Sequence, residues 1–379
     1  MRKRINAIKS SIGRHYVNLN GFKTDKKYII FESDDWGSNR MPSISTYKAL
    51  LKEGLRVDNC PFLSYDSLAN EDDLHALFDV LRKVNDSDGQ SPVFTANTII
   101  TNPLFNKILD NNYSSYEYEI FTNTLCRYKN KSKSFEIWNQ GMDEGIFFPQ
   151  YHGREHIQTK RWLHDLKKGR HDTIIAFKHE VFGLSTSATN NNGISYGAAL
   201  DYDNILDIKE QLDILEEGYK MFESLFQYKS KSFIAPNYVW DRNHEKQLNN
   251  LDIEFLQGTK RQILPNTVSS EKKYKSNYMG KKNKFNQYYL IRNCSFEPTI
   301  HKSFDVVSNC IKQISTAFYW NKPAIINTHR LNYIGDIVEK NRTNSLTLLK
   351  ELLFKINKYW PEARFLTTTQ LGEIIKPEG

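Results

Sequence analysis

Residues 27–36 read Lys-Tyr-Ile-Ile-Phe-Glu-Ser-Asp-Asp-Trp, KYIIFESDDW. From Lys27 to Phe31 this is a β-rich apolar run that stops abruptly at Glu32-Ser33-Asp34-Asp35, which predicts a short buried strand ending in acidic side chains. In parallel α/β architectures active sites collect at the carboxyl ends of strands, so Asp34 and Asp35 stand where catalysis is expected. Adjacent carboxylates repel one another unless a cation or a proton sits between them.

Outward from that stretch, strand-like runs recur at Pro92 to Ile100, Gly145 to Gln150, Thr173 to Phe177, Ser232 to Ala235, Ile253 to Leu256, Tyr288 to Arg292, Ala324 to Thr328 and Arg364 to Thr367. Helical patterns lie between them: Ser45 to Glu53, Glu71 to Val84, Thr159 to Lys168, Asn204 to Phe226, Asn243 to Leu251, Phe304 to Trp320 and Thr343 to Tyr359. In the fourth, Ile205, Ile208, Leu212, Leu215, Tyr219, Phe222 and Leu225 fall at helical spacing and form one apolar stripe. Strand and helix alternate through the chain, which predicts a mainly parallel sheet covered by helices, closed as a barrel or open and doubly wound. Two stretches, Gly183 to Tyr202 and the lysine-rich Pro265 to Asn286, read as long loops.

With 39% hydrophobic and 25% charged residues and six tryptophans, the chain is a folded globular protein and not a disordered or fibrous one. At 379 residues, one elaborated barrel at 21–379 behind a basic segment at 1–20 is the simplest organisation. Cys60, Cys126, Cys294 and Cys310 are scattered without a CxxC pair, so reduced structural thiols are expected. No apolar run of signal-peptide length opens the chain, and nowhere do about 18 apolar residues follow one another, so a cytoplasmic location is expected. A net charge of +8 admits nucleic acid, an acidic membrane or an anionic substrate as partners. No nucleic-acid-binding pattern is present, so nucleic acid is not an expected partner. The excess charge concentrates in Met1 to Arg14 and Glu271 to Lys284.

Three further signals stand after strand-like runs. His152-Gly-Arg-Glu-His156 spaces two histidines at i and i+4, which on one helical face chelate a divalent ion. Asn327-Thr328-His329-Arg330 places a histidine at a strand end. Ile234-Ala-Pro-Asn-Tyr238-Val-Trp240 carries a proline that forces extended backbone beside it. His179-Glu180, after the expected strand Thr173 to Phe177, reads as a structural pair or a support to a metal ligand.

Taken in this order, the four features at Asp34-Asp35, His152 to His156, Ile234 to Trp240 and His329 resemble the polysaccharide deacetylase family of carbohydrate esterases, over roughly Lys27 to Arg330. The resemblance implies a distorted (β/α) barrel of seven strands, of the glycoside hydrolase/deacetylase type, binding one divalent ion, most often Zn2+. It implies Asp34 as general base, Asp35, His152 and His156 as metal ligands and His329 as general acid. Pro236, Asn237 and Tyr238 would form the substrate-facing loop, with the Tyr238 N–H supporting an oxyanion. The implied reaction removes N-acetyl groups from a glycan or glycan precursor; the alternatives are an O-acetyl esterase, a glycosidase or a non-catalytic carbohydrate-binding protein on the same barrel.

The chain departs from that pattern at two positions. Gly153 stands where the family usually has Ser or Thr, and Ile234 where it commonly has the arginine that orients the base. Arg154, Arg292 and Arg330 are the candidates to replace that arginine. The stretch between Asp35 and His152 is longer than the family's, which predicts an insertion at about 38–134 beside the site. Phe31, Trp36, Tyr151, Tyr238 and Trp240 adjoin the motifs and are candidates to stack on sugar rings, with Arg154 and Arg330 as polar substrate contacts. Ile5, Ile8 and Ile12 share a helical face with Arg2, Lys3, Arg4, Lys9 and Arg14 nearby, a pattern that fits peripheral contact with an acidic membrane face and a lipid-linked or anionic carbohydrate substrate.

Overall fold

The structure is a computed structural model that describes residues 11–189, 196–265, 272–302 and 304–377. Seven parallel staves follow one another around the sheet: β1 (Tyr28–Trp36), β2 (Phe94–Thr98), β3 (Phe147–Tyr151), β4 (Ser232–Ile234), β5 (Phe255–Gly258), β6 (Tyr288–Ile291, continued by Cys294–Ser295) and β7 (Ala324–His329). β1 pairs with both β2 and β7, and β7 pairs with the second half of β6. The first half of β6 pairs with β5. The kink between the halves lets Arg292 N donate to Gly258 O on one side and Asn293 N to Ile325 O on the other, which closes the ring. A short strand β8 (Arg364–Phe365) fills the gap beside Tyr28 and Ile29 that β2 leaves at the start of β1. This is the distorted (β/α) barrel that the resemblance implies, its seven staves supplemented by β8.

The apolar half of β1 is buried on both faces, as a parallel stave flanked by helices must be. Phe31 stacks on Phe94, and both are fully buried. The second half of the ring is lined with polar side chains instead. Glu32, Thr95, Asn97, Gln150, Ser232 and Gln257 are buried within it, and each finds a hydrogen-bond partner there. A barrel closed over a polar interior stays stable only when every such group is satisfied.

The expected helices are present, among them α1 (Ile44–Lys52), α3 (Glu71–Leu81), α7 (Thr159–Lys167), α9 (Ile208–Phe226), α10 (Arg242–Asn250), α11 (Val306–Tyr319) and α12 (Glu339–Tyr359). Asn70 and Asp73 form a capping box at the start of α3. In α9 the buried stripe is Leu215, Tyr219, Phe222 and Phe226, and Gly218 brings the helix so close that a Cβ would lie 2.4 Å from the Tyr151 hydroxyl. Ile205, expected on that stripe, is exposed ahead of the helix.

One element differs from its expected period. Thr173 to Phe177, expected as a strand, lies inside the helix α8 (His171–Lys178). Its five residues are apolar or β-branched, and so short a run carries no period of its own. The helix buries Ile175 and Ala176 in one satellite core and Phe177 in another. The insertion expected at 38–134 is two crossovers divided by β2. The first carries α1, α2 (Pro61–Ser64) and α3. The second carries an antiparallel pair of Thr101–Pro103 with Tyr118–Ile120, which encloses α4 (Phe105–Asp110), then α5 (Phe121–Cys126) and α6 (Ser134–Asp143). The expected loop after Pro265 contributes Tyr274–Ser276 to a second hairpin with Arg261–Ile263.

Residues 11–18 are helical and Ile12 is exposed. Ile5, Ile8 and the basic residues at 2–4 and 9, on which the interfacial reading depends, lie outside the described residues. No helix among the described residues is long and apolar enough to cross a membrane.

Candidate metal centre and active site

The paired aspartates reach one cleft because the strand breaks its own alternation. Successive residues of a regular strand face opposite sides. Here the register of β1 against β2 shifts between Ser33 and Trp36, and Asp35 has φ 72°. The bulge re-aims the side chain, and both Asp34 and Asp35 line one cleft at the carboxyl end of the barrel.

His152 follows β3, its N–H bound to Thr98 O at 3.0 Å. The expected helical turn is absent: His152 to Gln158 is irregular, and α7 begins only at Thr159, capped by the Gln158 side chain. Gly153 at φ +120° turns the chain, a conformation that Ser or Thr would adopt only with strain. Its carbonyl and that of Arg154 accept from Ile100 N and Thr101 N, which pin the loop to the end of β2. In that setting the two imidazoles stand with ring centroids 5.4 Å apart.

Asp35, His152 and His156 offer ligand atoms that all lie within 4.8 Å of one another, and all three residues are buried. Asp35 Oδ1 is 3.6 Å from His152 Nε2 and 3.2 Å from His156 Nε2. His152 Nδ1 is 2.8 Å from Ile234 O, a contact that fixes the ring and leaves Nε2 facing the cluster. Burial, reinforced by Arg40, drives His156 down to about 3, and the neutral imidazole is the form that binds a metal. Burial opposes the charge on Asp35, yet Arg40 and His156 hold its carboxyl well below the usual range. An ionised carboxylate, the neutral His156 and the Nε2 of His152, converging at one side of the cleft, fit a divalent cation.

Asp34 faces the barrel axis. Arg292 Nη1 and Nη2 lie 2.6 and 2.7 Å from its two carboxylate oxygens, and Asn97 Nδ2 donates to Oδ1 at 2.8 Å. Arg292 also binds Glu32 through Nε at 2.6 Å, and its Nη1 reaches Asn327 Oδ1 at 2.6 Å and the Tyr238 hydroxyl at 3.0 Å. Burial would raise the Asp34 carboxyl, but Arg292 outweighs it, with help from His329 and His152, and the group is held below its ordinary value. Glu32, deeper in the ring and fully buried, is instead raised by burial despite the same arginine. Of the three candidate arginines, Arg292 is the one that reaches Asp34. Arg154 is committed to Glu155, Glu217 and the ring of Tyr118, and Arg330 to Asp66 and Ser38 O.

His329 stands opposite Asp34 in the β1–β7 register, with Nε2 3.8 Å from Asp34 Oδ2. Its Nδ1 is 2.6 Å from Glu297 Oε1, and Glu297 is held by Asn332 at 2.7 Å. Burial works against the imidazolium, but Glu297, then Asp34 and Asp35, raise it to about 9. Sequence reading missed Glu297, Asn97, Gln257, Arg40 and Phe62. Glu297 alone left a trace, as an acid two residues after the strand ending at Ser295.

Of the expected substrate contacts, Asn237 and Tyr238 line the cleft, both with positive φ. The Tyr238 N–H donates to Ala235 O at 2.9 Å, so the proposed oxyanion donor is already engaged. Pro236 is buried against Gly153, outside the cleft wall. Phe31, Trp36, Tyr151 and Trp240 are core residues, each at most 2% exposed, and cannot stack on a sugar. Trp36 packs on Trp138 and Phe147 with its N–H on Ser33 Oγ. Trp240 donates to Glu245. Arg154 and Arg330 are likewise buried in ion pairs away from the cleft. The aromatic wall is supplied by Phe62 of α2, whose ring meets His329 edge-on at 5.2 Å and lies under the Arg40 guanidinium at 5.4 Å. His179, at the end of α8, pairs with Glu53 at 2.6 Å, away from the centre.

No family profile and no curated protein matches the sequence. Among solved structures the chain is similar to 4-alpha-glucanotransferase from Thermococcus litoralis (10% identity, 91% of this chain and 40% of that one, TM-score 0.44). It is also similar to peptidoglycan deacetylase from Bacillus subtilis (10% identity, 92% and 91%, TM-score 0.37). A third is a structure designated glycoside hydrolase/deacetylase from Parabacteroides distasonis (8% identity, 93% and 71%, TM-score 0.48). The chain spans 40% of the glucanotransferase's length. At such identities the barrel assignment rests on the strand order itself.

Proposed function

We propose that this chain is a metal-dependent hydrolase that removes N-acetyl groups from a glycan or glycan precursor. The observation that carries the reading is the convergence of Asp35, His152 and His156 within 4.8 Å, beside one aspartate held ionised and one histidine held protonated. An N2O ligand set with open positions suits Zn2+. A divalent ion held there would polarise an acyl carbonyl and bring the pKa of a bound water from 15.7 towards about 7.

The protein's own groups divide the proton traffic. Asp34 keeps its charge through Arg292 and Asn97 and retains lone pairs for the proton of an attacking water. His329 carries a proton up to about pH 9 because of Glu297, and its Nε2 faces the cleft beside Asp34, placed to protonate a departing amine. Base and acid thus have environments that push their affinities for a proton apart, as the two steps require. Phe62, Asn237 and Tyr238 form the walls on which a sugar ring would rest.

The test is acetate release from N-acetylated oligosaccharides by the purified protein. Activity abolished by a chelator and restored by Zn2+ is the expected result. Metal-replete protein that releases no acetate from any N-acetylated glycan offered would overturn the reading.

A further inference from the structure

Asp35 presents its two oxygens to different neighbours. Oδ1 faces both imidazoles, whereas Oδ2 is 3.1 Å from Arg40 Nη2. Arg40 is 8% exposed: its Nε lies 3.5 Å from Asp66 Oδ2, an ion-pair contact without a hydrogen bond, and the guanidinium rests on the Phe62 ring. Asp66 is fully buried and clamped from behind by Arg330, through Nε at 2.9 Å and Nη2 at 2.7 Å. The series Arg330–Asp66–Arg40–Asp35 therefore runs from the barrel wall to the metal centre and fixes Arg40 from outside.

We infer that Arg40 is a positioning residue that keeps Asp35 a one-oxygen ligand. The inference rests on the reading of Asp35, His152 and His156 as a metal centre. A carboxylate binds a divalent ion through one oxygen or through both. With both, it occupies a position that a hydrolytic site must leave for water or the acyl oxygen. The ion pair to Arg40 occupies Oδ2, and its positive charge also lowers the attraction of the centre for a dication. Arg40 thus weakens metal affinity while keeping the coordination sphere open.

This role has a sign that an ordinary brace does not. Removing a brace loosens the metal; removing Arg40 as inferred here tightens it and slows turnover. The experiment is Co2+ binding to the full-length protein, by competition with a chelator of known affinity and by the visible absorption of the bound ion. Arg40→Met is expected to bind Co2+ about tenfold more tightly than wild type, with weaker absorption as the coordination number rises and with reduced kcat. Arg40→Gln loses the charge but keeps an N–H for Oδ2, so it is expected to tighten binding with a smaller spectral change; either variant that folds decides the matter. Weaker or unchanged binding with an unaltered spectrum would overturn the inference while leaving the metal centre in place. Failure of the wild type itself to bind Co2+ would overturn the metal-centre reading, and this inference with it.

Discussion

Arg292 and Asp34, 258 residues apart in the sequence, meet fork to fork across the barrel axis, with Nη1–Oδ2 2.6 Å and Nη2–Oδ1 2.7 Å. The arginine sits in the kink that closes the ring between the halves of β6, so the geometry that completes the barrel also orients the candidate base. Planar bidentate pairing of this kind cannot be reproduced by an ammonium group.

Arg292→Lys is therefore expected to lower kcat about a hundredfold with KM little changed, since Asp34 keeps a cation but loses its orientation. Arg292→Met leaves Asp34 and Glu32 buried without their partner and is expected to cost about 3–5 kcal/mol of stability. Steady-state kinetics and urea denaturation check the two; wild-type kcat in Arg292→Lys would show that the fork has no role in turnover.

Asp34→Asn should retain the metal and lose turnover, because the candidate ligand set of Asp35, His152 and His156 does not include it. His152→Ala should lose both metal and turnover. Metal content by elemental analysis beside acetate release separates the two, and equal activity in all three proteins would remove the mechanism.

The Glu297–His329 pair sets a pH window. The folded histidine titrates at about 9, above its ordinary value of about 6.5. Its contribution to stability is thus complete below about pH 6.5 and is lost as the pH rises through about 9. The acid function proposed for His329 is expected to disappear over the same rise. Glu297→Gln withdraws the carboxylate 2.6 Å from Nδ1, so the alkaline limb of the kcat profile should move down by about one unit or more. A limb unmoved by that substitution would exclude His329 as the titrating group.

Aromatic residues divide by burial. Phe62→Ala should raise KM for an oligosaccharide severalfold while Tm changes little, since the ring is only half-buried and walls the cleft. Trp240→Ala should do the reverse, losing about 3–5 kcal/mol of stability from a site 2% exposed. Identical effects of the two on KM would contradict the division.

The alternation of strands and helices was legible, and so were Asp34, Asp35, His152, His156 and His329, because each follows an apolar run and strand ends are where such sites form. Residues that act through distant partners were not. Arg40, Asp66 and Gln257 acquire meaning only when crossovers and opposite staves are folded together, and nothing local marks them; Glu297 is marked only by its place just after a strand. Trp36 and Trp240 misled by adjacency: the chain position beside a motif says nothing of the face a side chain takes, and at Trp36 a bulge decides it. Thr173 to Phe177 differs for another reason, since five apolar or β-branched residues fit a strand or a helix equally, and two satellite cores chose the helix.

The most direct test of the account is an anomalous difference map, collected above and below the zinc absorption edge, from crystals of the protein grown with Zn2+. A single strong site bonded to Asp35 Oδ1, His152 Nε2 and His156 Nε2 is expected, with Asp34 adjacent but not coordinated. A map with no site among these three residues, or with the ion ligated by Asp34 instead of Asp35, would contradict it.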